Sequence, residues 1–137
     1  MLLGRPLVGV RAIPLLPGGE VVLVKLHRGG WVLPGGLMDN NEKIRAAIIR
    51  EVLEECGLRV LRIGRLSGVY SDPRRDPRFH SVSIVMEVFV EAAEMRPRDK
   101  LEVERAGAFA LDALPAELTL DCREQLEHYL SNSLVVD

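Results

Sequence analysis

The sequence predicts a single mixed α/β domain over residues 1–137, on three observations. The length, 137 residues, is that of one ordinary domain. Several β-branched or aliphatic runs are closed by Pro, Gly or polar turns, which is strand patterning. Between residues 40 and 56 the apolar period switches to that of a helix. Strands dominate, one strong helix interrupts them and another closes the chain, with no repeat, linker or low-complexity segment.

Taken in order, Leu7 to Leu16 is a strand stopped by the turn Pro17-Gly18-Gly19, and Glu20 to Leu26 is a second that pairs with it as a hairpin. Gly29 to Gly36 is too rich in Gly and Pro for a helix and is expected as a shaped loop. Ile44, Ile48 and Val52 recur every four residues, widened by Ala47 and Ile49, and give the helix. Asp39 as N-cap with Glu42 at N3 makes a capping box, and Gly57 is the stop. Leu58 to Tyr70 is a long strand, Ser71 to His80 a polar loop, and Ser81 to Val90 an alternating strand. Leu101 to Leu111 is a shorter strand. Asp121-Cys122-Arg123-Glu124 caps a last helix with Leu126, Tyr129 and Leu130 on its inner face.

Composition limits the function. At 47% hydrophobic and 28% charged the chain is globular. Lys plus Arg number 18 against 20 Asp plus Glu, a net charge of -2, so no basic excess drives binding to nucleic acid. A polyanionic substrate then needs a local counter-charge, such as metal ions. No stretch approaches the ~20 apolar residues that span a bilayer, and Met1 to Pro6 shows no basic n-region, long apolar run or small-residue cleavage site, so secretion is not expected. Two cysteines, Cys56 and Cys122, are too few for a disulfide scaffold, and a reduced, cytoplasmic protein is the expectation.

Chemistry concentrates at Arg50-Glu51-Val52-Leu53-Glu54-Glu55. Spacings of three and four put Glu51, Glu54 and Glu55 on neighbouring ridges of one helix face. The helix C-terminus is already partly negative, so these carboxylates repel it and one another. The arrangement makes sense if cations are bound. Clustered carboxylate oxygens suit Mg²⁺ or Mn²⁺, and no Cys/His spacing points to zinc. The plainer alternative is a solvated acidic face with Arg50 and Glu54 as an ion pair.

Gly36, then five residues, Glu42, then seven residues, then Arg50-Glu51-Val52-Leu53-Glu54-Glu55-Cys56-Gly57-Leu58 resembles the Nudix box at every defined position. Trp31-Val32-Leu33-Pro34-Gly35 resembles its usual lead-in. The resemblance implies a Nudix α/β/α sandwich with a mixed sheet and Mg²⁺-dependent hydrolysis of a nucleoside diphosphate linked to another group, Mn²⁺ being a possible substitute. It implies Glu54 and Glu55 as metal ligands, Glu51 as a further ligand or a group that orients or deprotonates water, and Gly36 as donor of a backbone carbonyl. By motif position and physics together, Arg50 orients the carboxylates by charge-assisted hydrogen bonds. Glu42 either caps the helix or joins that network.

Outside the box, Pro73 follows Leu58 by fifteen residues, and Ser71-Asp72-Pro73-Arg74-Arg75-Asp76-Pro77-Arg78-Phe79-His80 resembles the substrate loop of ADP-ribose pyrophosphatases. This implies cleavage of ADP-ribose to AMP and ribose 5-phosphate, and a homodimer. Arg74, Arg75 and Arg78 offer forked donors to phosphate or ribose oxygens; the alternative is a turn in which Asp72 and Asp76 neutralise them. Tyr70, Phe79 and Trp31 are the rings available to stack on adenine. A late glutamate often serves such enzymes as general base, and Glu102 and Glu104 are both candidates. Other readings are a different Nudix substrate (a damaged nucleoside triphosphate, a dinucleoside polyphosphate, NADH) and a non-catalytic nucleotide sensor.

Overall fold

The structure is a computed structural model and describes residues 4–137; the sequence reading at Met1–Leu3 lies outside the described residues. The strands are β1 (Leu7–Leu15), β2 (Val21–Leu26), β3 (Trp31–Val32), β4 (Gly35–Leu37), β5 (Val60–Tyr70), β6 (Ser81–Val90), β7 (Val103–Phe109) and β8 (Val135–Val136). The helices are α1 (Ile44–Cys56) and α2 (Leu120–Leu130), with a 3-10 turn at Pro73–Arg75. All eight strands form one sheet in the order β3-β2-β1-β6-β5-β8, with β4 on β1 and β7 on β2. The sheet is mixed, because β1 runs parallel to β6 and β5 parallel to β8.

Side-chain alternation along β1 explains the layering. Val10 and Ala12 face one side and pack with Ala47, Ile48, Val52 and Cys56 of α1. Ile13 faces the other and packs with Cys122, Leu126 and Tyr129 of α2. One helix therefore covers each face, an α/β/α sandwich with an aliphatic core. Fully burying Ile48 or Val52 contributes roughly 1.5–3 kcal/mol each. Among the described residues no helix is long and apolar enough to cross a membrane.

Several local expectations are corrected. The expected β1–β2 hairpin pairs only at Leu15 and Val21, because the same edge of β1 pairs with β4 at Gly9 to Arg11 while β6 takes the opposite edge. The Gly-rich loop contains two short strands, β3 and β4, which alternation cannot reveal at two or three residues. Helix α1 begins after Lys43 and not at Asp39, because Asn41 takes a left-handed φ of 63° that breaks helical continuity. The box survives as a separate turn, with Asp39 N–H donating to Glu42 Oε1 at 2.9 Å. Ile44 and Ile49 are exposed, since the inward stripe of α1 is Ala47, Ile48, Glu51, Val52, Glu55 and Cys56. Two of those six positions are acidic.

Thr119, not Asp121, caps α2, its hydroxyl accepting from Cys122 N–H at 3.3 Å, and Leu130 points outward. The strand β8 was not expected at all. At the other end of α1 the expected stop holds: Gly57 has a φ of 70° and donates to Leu53 O at 2.9 Å.

Candidate active site

Glu51 and Glu55 are each 7% exposed, at the end of α1 that tucks against β4. That approach requires glycine. A Cβ on Gly36 would lie 2.8 Å from Glu51 Oε1, and one on Gly35 would fall on the Val10 carbonyl oxygen. The Gly35 N–H donates to Glu55 Oε1 at 2.9 Å. Burial outweighs this bond and pushes the Glu55 carboxyl up to about 7. Burial likewise raises Glu51, against the pull of Arg50.

Arg50 holds the remaining charge together. Its Nε and Nη2 fork onto Glu42 at 2.8 and 2.9 Å, and its Nη1 donates to Glu51 at 2.8 Å and Glu54 at 3.3 Å. The fork keeps Glu42 down near pKa 2, and Arg50 is itself made a weaker acid, chiefly by that same bond. Glu42 thus sits in the Arg50 network as well as in the Asp39 turn. The last turn of α1 holds no basic residue, and its Glu54 carbonyl is capped by the N–H groups of Arg98 and Asp99 at 2.6 and 3.0 Å.

These residues fit a divalent ion by the chemistry of their donors. Three carboxylates and a bare glycine backbone offer hard oxygens, and two of the carboxyls are buried where a second positive charge would lower their cost. Among the described residues no three acidic, His or Cys side chains are gathered on one point. Glu51 and Glu54 lean on Arg50, and Glu55 on Gly35.

A groove runs from this helix end toward α2 in two connected lobes of about 440 and 920 Å³. Gly36, Glu55, Phe79 and Glu102 line the smaller lobe; Arg74, Arg75 and Glu124 line the larger. The two candidate bases are separated: Glu102 faces the carboxylates' lobe, whereas Glu104 lies on β7 and reaches Lys25 at 3.9 Å.

The three loop arginines all carry carboxylates. Arg74 holds Asp72 at 2.6 Å and Arg78 holds Asp76 at 2.9 Å. Arg75, 17% exposed, is enclosed by Asp121, Glu124 and Asp137, and its guanidinium stacks on the Tyr70 ring. Tyr70 itself is 1% exposed, with its hydroxyl 2.9 Å from His128 Nδ1, so neither ring face is open to a base. Trp31 is also packed away, edge-on to Phe109. Phe79, half-buried in the smaller lobe, is the remaining ring at the groove. Cys56 and Cys122 are buried thiols whose pKa values burial raises, Cys122 to about 12, and they are inert.

Sequence reasoning passed over Arg11 and Arg28, which line both lobes. For Arg11 a signal existed: it is the one charge in the apolar strand Leu7–Leu15.

A family model described as NUDIX domain matches residues 5–129. An ADP-ribose pyrophosphatase of Methanocaldococcus jannaschii is 37% identical over 115 residues, 81% of this chain and 66% of that protein, just under two thirds of its length. Among solved structures, a MutT NUDIX hydrolase from Burkholderia pseudomallei superposes with a TM-score of 0.78 at 34% identity, covering 90% of this chain and 98% of that one. An ADP-ribose pyrophosphatase from Streptococcus suis 89-1591 does so with a TM-score of 0.78 at 27% identity, covering 97% and 100%.

Proposed function

The chain belongs to the Nudix hydrolase family, and from that premise we propose that it is a pyrophosphohydrolase cleaving ADP-ribose to AMP and ribose 5-phosphate with Mg²⁺, or Mn²⁺ in its place. The observation that carries this reading is the buried Glu51–Glu55 pair set against Gly36 at the end of a groove large enough for a dinucleotide-sized ligand. The relatives named ADP-ribose pyrophosphatase support the substrate.

Glu51, Glu54, Glu55 and the Gly36 carbonyl would hold the ion. When bound, it neutralises phosphate oxygens, lowers the pKa of water and stabilises the departing phosphate. Arg50 sets the carboxylates' orientation and limits their mutual repulsion. Water attacks one phosphorus of the diphosphate, a new P–O bond forms, and the bond from that phosphorus to the bridging oxygen breaks with its electron pair. Glu102, facing the same lobe as Glu55, takes the proton of the attacking water on a carboxylate oxygen. The reading includes a homodimer and a reducing, cytoplasmic setting, in keeping with the free buried cysteines.

Incubation with ADP-ribose, a damaged nucleoside triphosphate, a dinucleoside polyphosphate and NADH in Mg²⁺ tests the substrate. ADP-ribose is expected to be turned over with the highest kcat/KM. Faster cleavage of another compound reassigns the substrate, and binding without cleavage in both Mg²⁺ and Mn²⁺ marks a sensor. The base is tested by Glu102→Gln, expected to lower kcat by about 10²- to 10⁴-fold, with Glu104→Gln close to wild type. Equal effects of the two changes would remove Glu102 from that role.

A further inference from the structure

Arg11 sits in the middle of β1 between Val10 and Ala12, each 1% exposed. Alternation turns those two neighbours toward α1 and Arg11 toward the groove. Its stem crosses β4, where a Cβ on Gly35 would lie 2.9 Å from Arg11 Cδ. Nη1 donates to Leu33 O at 2.9 Å, and among the described residues this is the guanidinium's one hydrogen bond. No carboxylate there lies within ion-pair distance of it. A guanidinium carries five N–H donors, so most of Arg11's have no protein partner among the described residues.

Of the other half-buried arginines, Arg65 donates to Tyr129 O at 2.7 Å and lies over that residue's ring, and the remaining two are charge-matched. Arg50 is matched by Glu42, Glu51 and Glu54, and Arg75 by Asp121, Glu124 and Asp137. Among the described residues Arg11 has neither a paired carboxylate nor a ring beneath it, and an anion in the groove would offset the cost of its half-buried charge. Arg11 lines the larger lobe and also the smaller one, which Gly36 and Glu55 line as well. The three loop arginines, in contrast, already hold carboxylates.

We propose that Arg11 is a substrate-binding residue whose unused donors take non-bridging oxygens of the diphosphate where the two lobes meet. The inference rests on reading the chain as a hydrolase of a nucleoside diphosphate derivative. Arg11 supplies a positive charge to the diphosphate from β1, in the lobe that Glu55 also lines. Its planar fork reaches two oxygens at once, which a lysine does not.

The test titrates wild type, Arg11→Met and Arg11→Lys, in Mg²⁺, by calorimetry with two ligands. One is ADP; the other is the ADP-ribose analogue with a methylene in place of the bridging oxygen. Loss of a charge-assisted bidentate contact is expected to weaken both ligands roughly ten- to a hundred-fold in Arg11→Met, with Arg11→Lys between. KM for the cleaved substrate rises by a similar factor while kcat changes less, and the thermal midpoint of Arg11→Lys stays near wild type. If Arg11→Met does not fold, Arg11→Lys alone decides, through the same loss in affinity. Unchanged affinity for ADP in the folded variants overturns the proposal. Weakened ADP binding, with no analogue binding even by wild type, upholds Arg11 and rejects only the ADP-ribose reading. If wild type binds neither ligand, both fall.

Discussion

Replacing Glu55 by Gln is expected to remove most turnover and yet to make the metal-free protein more stable above pH 7. The two effects share one cause. Glu55 is 7% exposed, and burial lifts its carboxyl from 4.5 to about 7. The folded chain therefore holds a proton that the unfolded chain has released between those values. The stability this proton confers is fully present below pH 4.5 and is lost as pH rises through about 7. The shift corresponds to about 3 kcal/mol. Gln keeps the size and the oxygen that accepts from Gly35 N–H, but it has no charge to bury and offers a metal no anionic ligand. Turnover should fall by about two to four orders of magnitude. Urea unfolding in EDTA at pH 5 and pH 8 should show wild type losing stability across that window and Glu55→Gln losing less. Mg²⁺ should raise the wild-type midpoint above pH 7 and the variant's much less. Full activity in Glu55→Gln sinks the ligand assignment, and identical pH slopes sink the account of its burial.

Gly35→Ala should be the most destabilising single methyl added to this chain near the site. The new Cβ would fall on the Val10 carbonyl oxygen and within 2.9 Å of both Arg11 Cα and Cδ. Most of those neighbours are backbone, so relief requires β4 to part from β1 over Gly9 to Arg11. A cost above ~3 kcal/mol is expected, in line with overpacking at a site that cannot relax. The displacement would also carry the Gly35 N–H away from Glu55, so turnover falls in whatever fraction folds. Gly18→Ala is the control: nothing lies within 4 Å of its Cβ, and stability should move by no more than ~0.5 kcal/mol. Denaturant midpoints of the two variants decide the matter. A Gly35→Ala protein within ~1 kcal/mol of wild type would mean that β4 shifts freely and does not position the carboxylates.

The readable parts of this protein are those whose cause is local. The helix period from Ile48 to Val52, the Gly57 stop and the alternation from Ser81 to Val90 are each set within a few residues. The same holds for the carboxylates of α1, whose spacing alone puts them at one end of the helix and whose match to the Nudix box points to the family. The short strands β3, β4 and β8 escaped because two or three residues carry no period and exist only by pairing with distant partners.

Charge pairing was the least legible feature. Arg74, Arg75 and Arg78 looked like ligand donors beside one another, but Arg75 meets Glu124, 49 residues on, and Asp137, 62 residues on. Tyr70 looked like a stacking ring until His128, 58 residues away, and α2 closed over it. Glu102 and Glu104 differ by two positions, and only the entry of β7 into the sheet sends one to the groove and the other to Lys25.

By itself, then, the sequence determined the layered α/β class, the family and the acidic end of α1, because helix period, turn glycines and carboxylate spacing act through neighbours in the chain. The pairing of Arg74 with Asp72 and of Arg78 with Asp76, two residues apart, is local too and matches the alternative the sequence offered. Only the tertiary structure decided the rest: neutralisation acts through space, and folding brought distant carboxylates to Arg75 while leaving Arg11, a single cation in an apolar strand, lining the groove with one carbonyl as its hydrogen-bond partner.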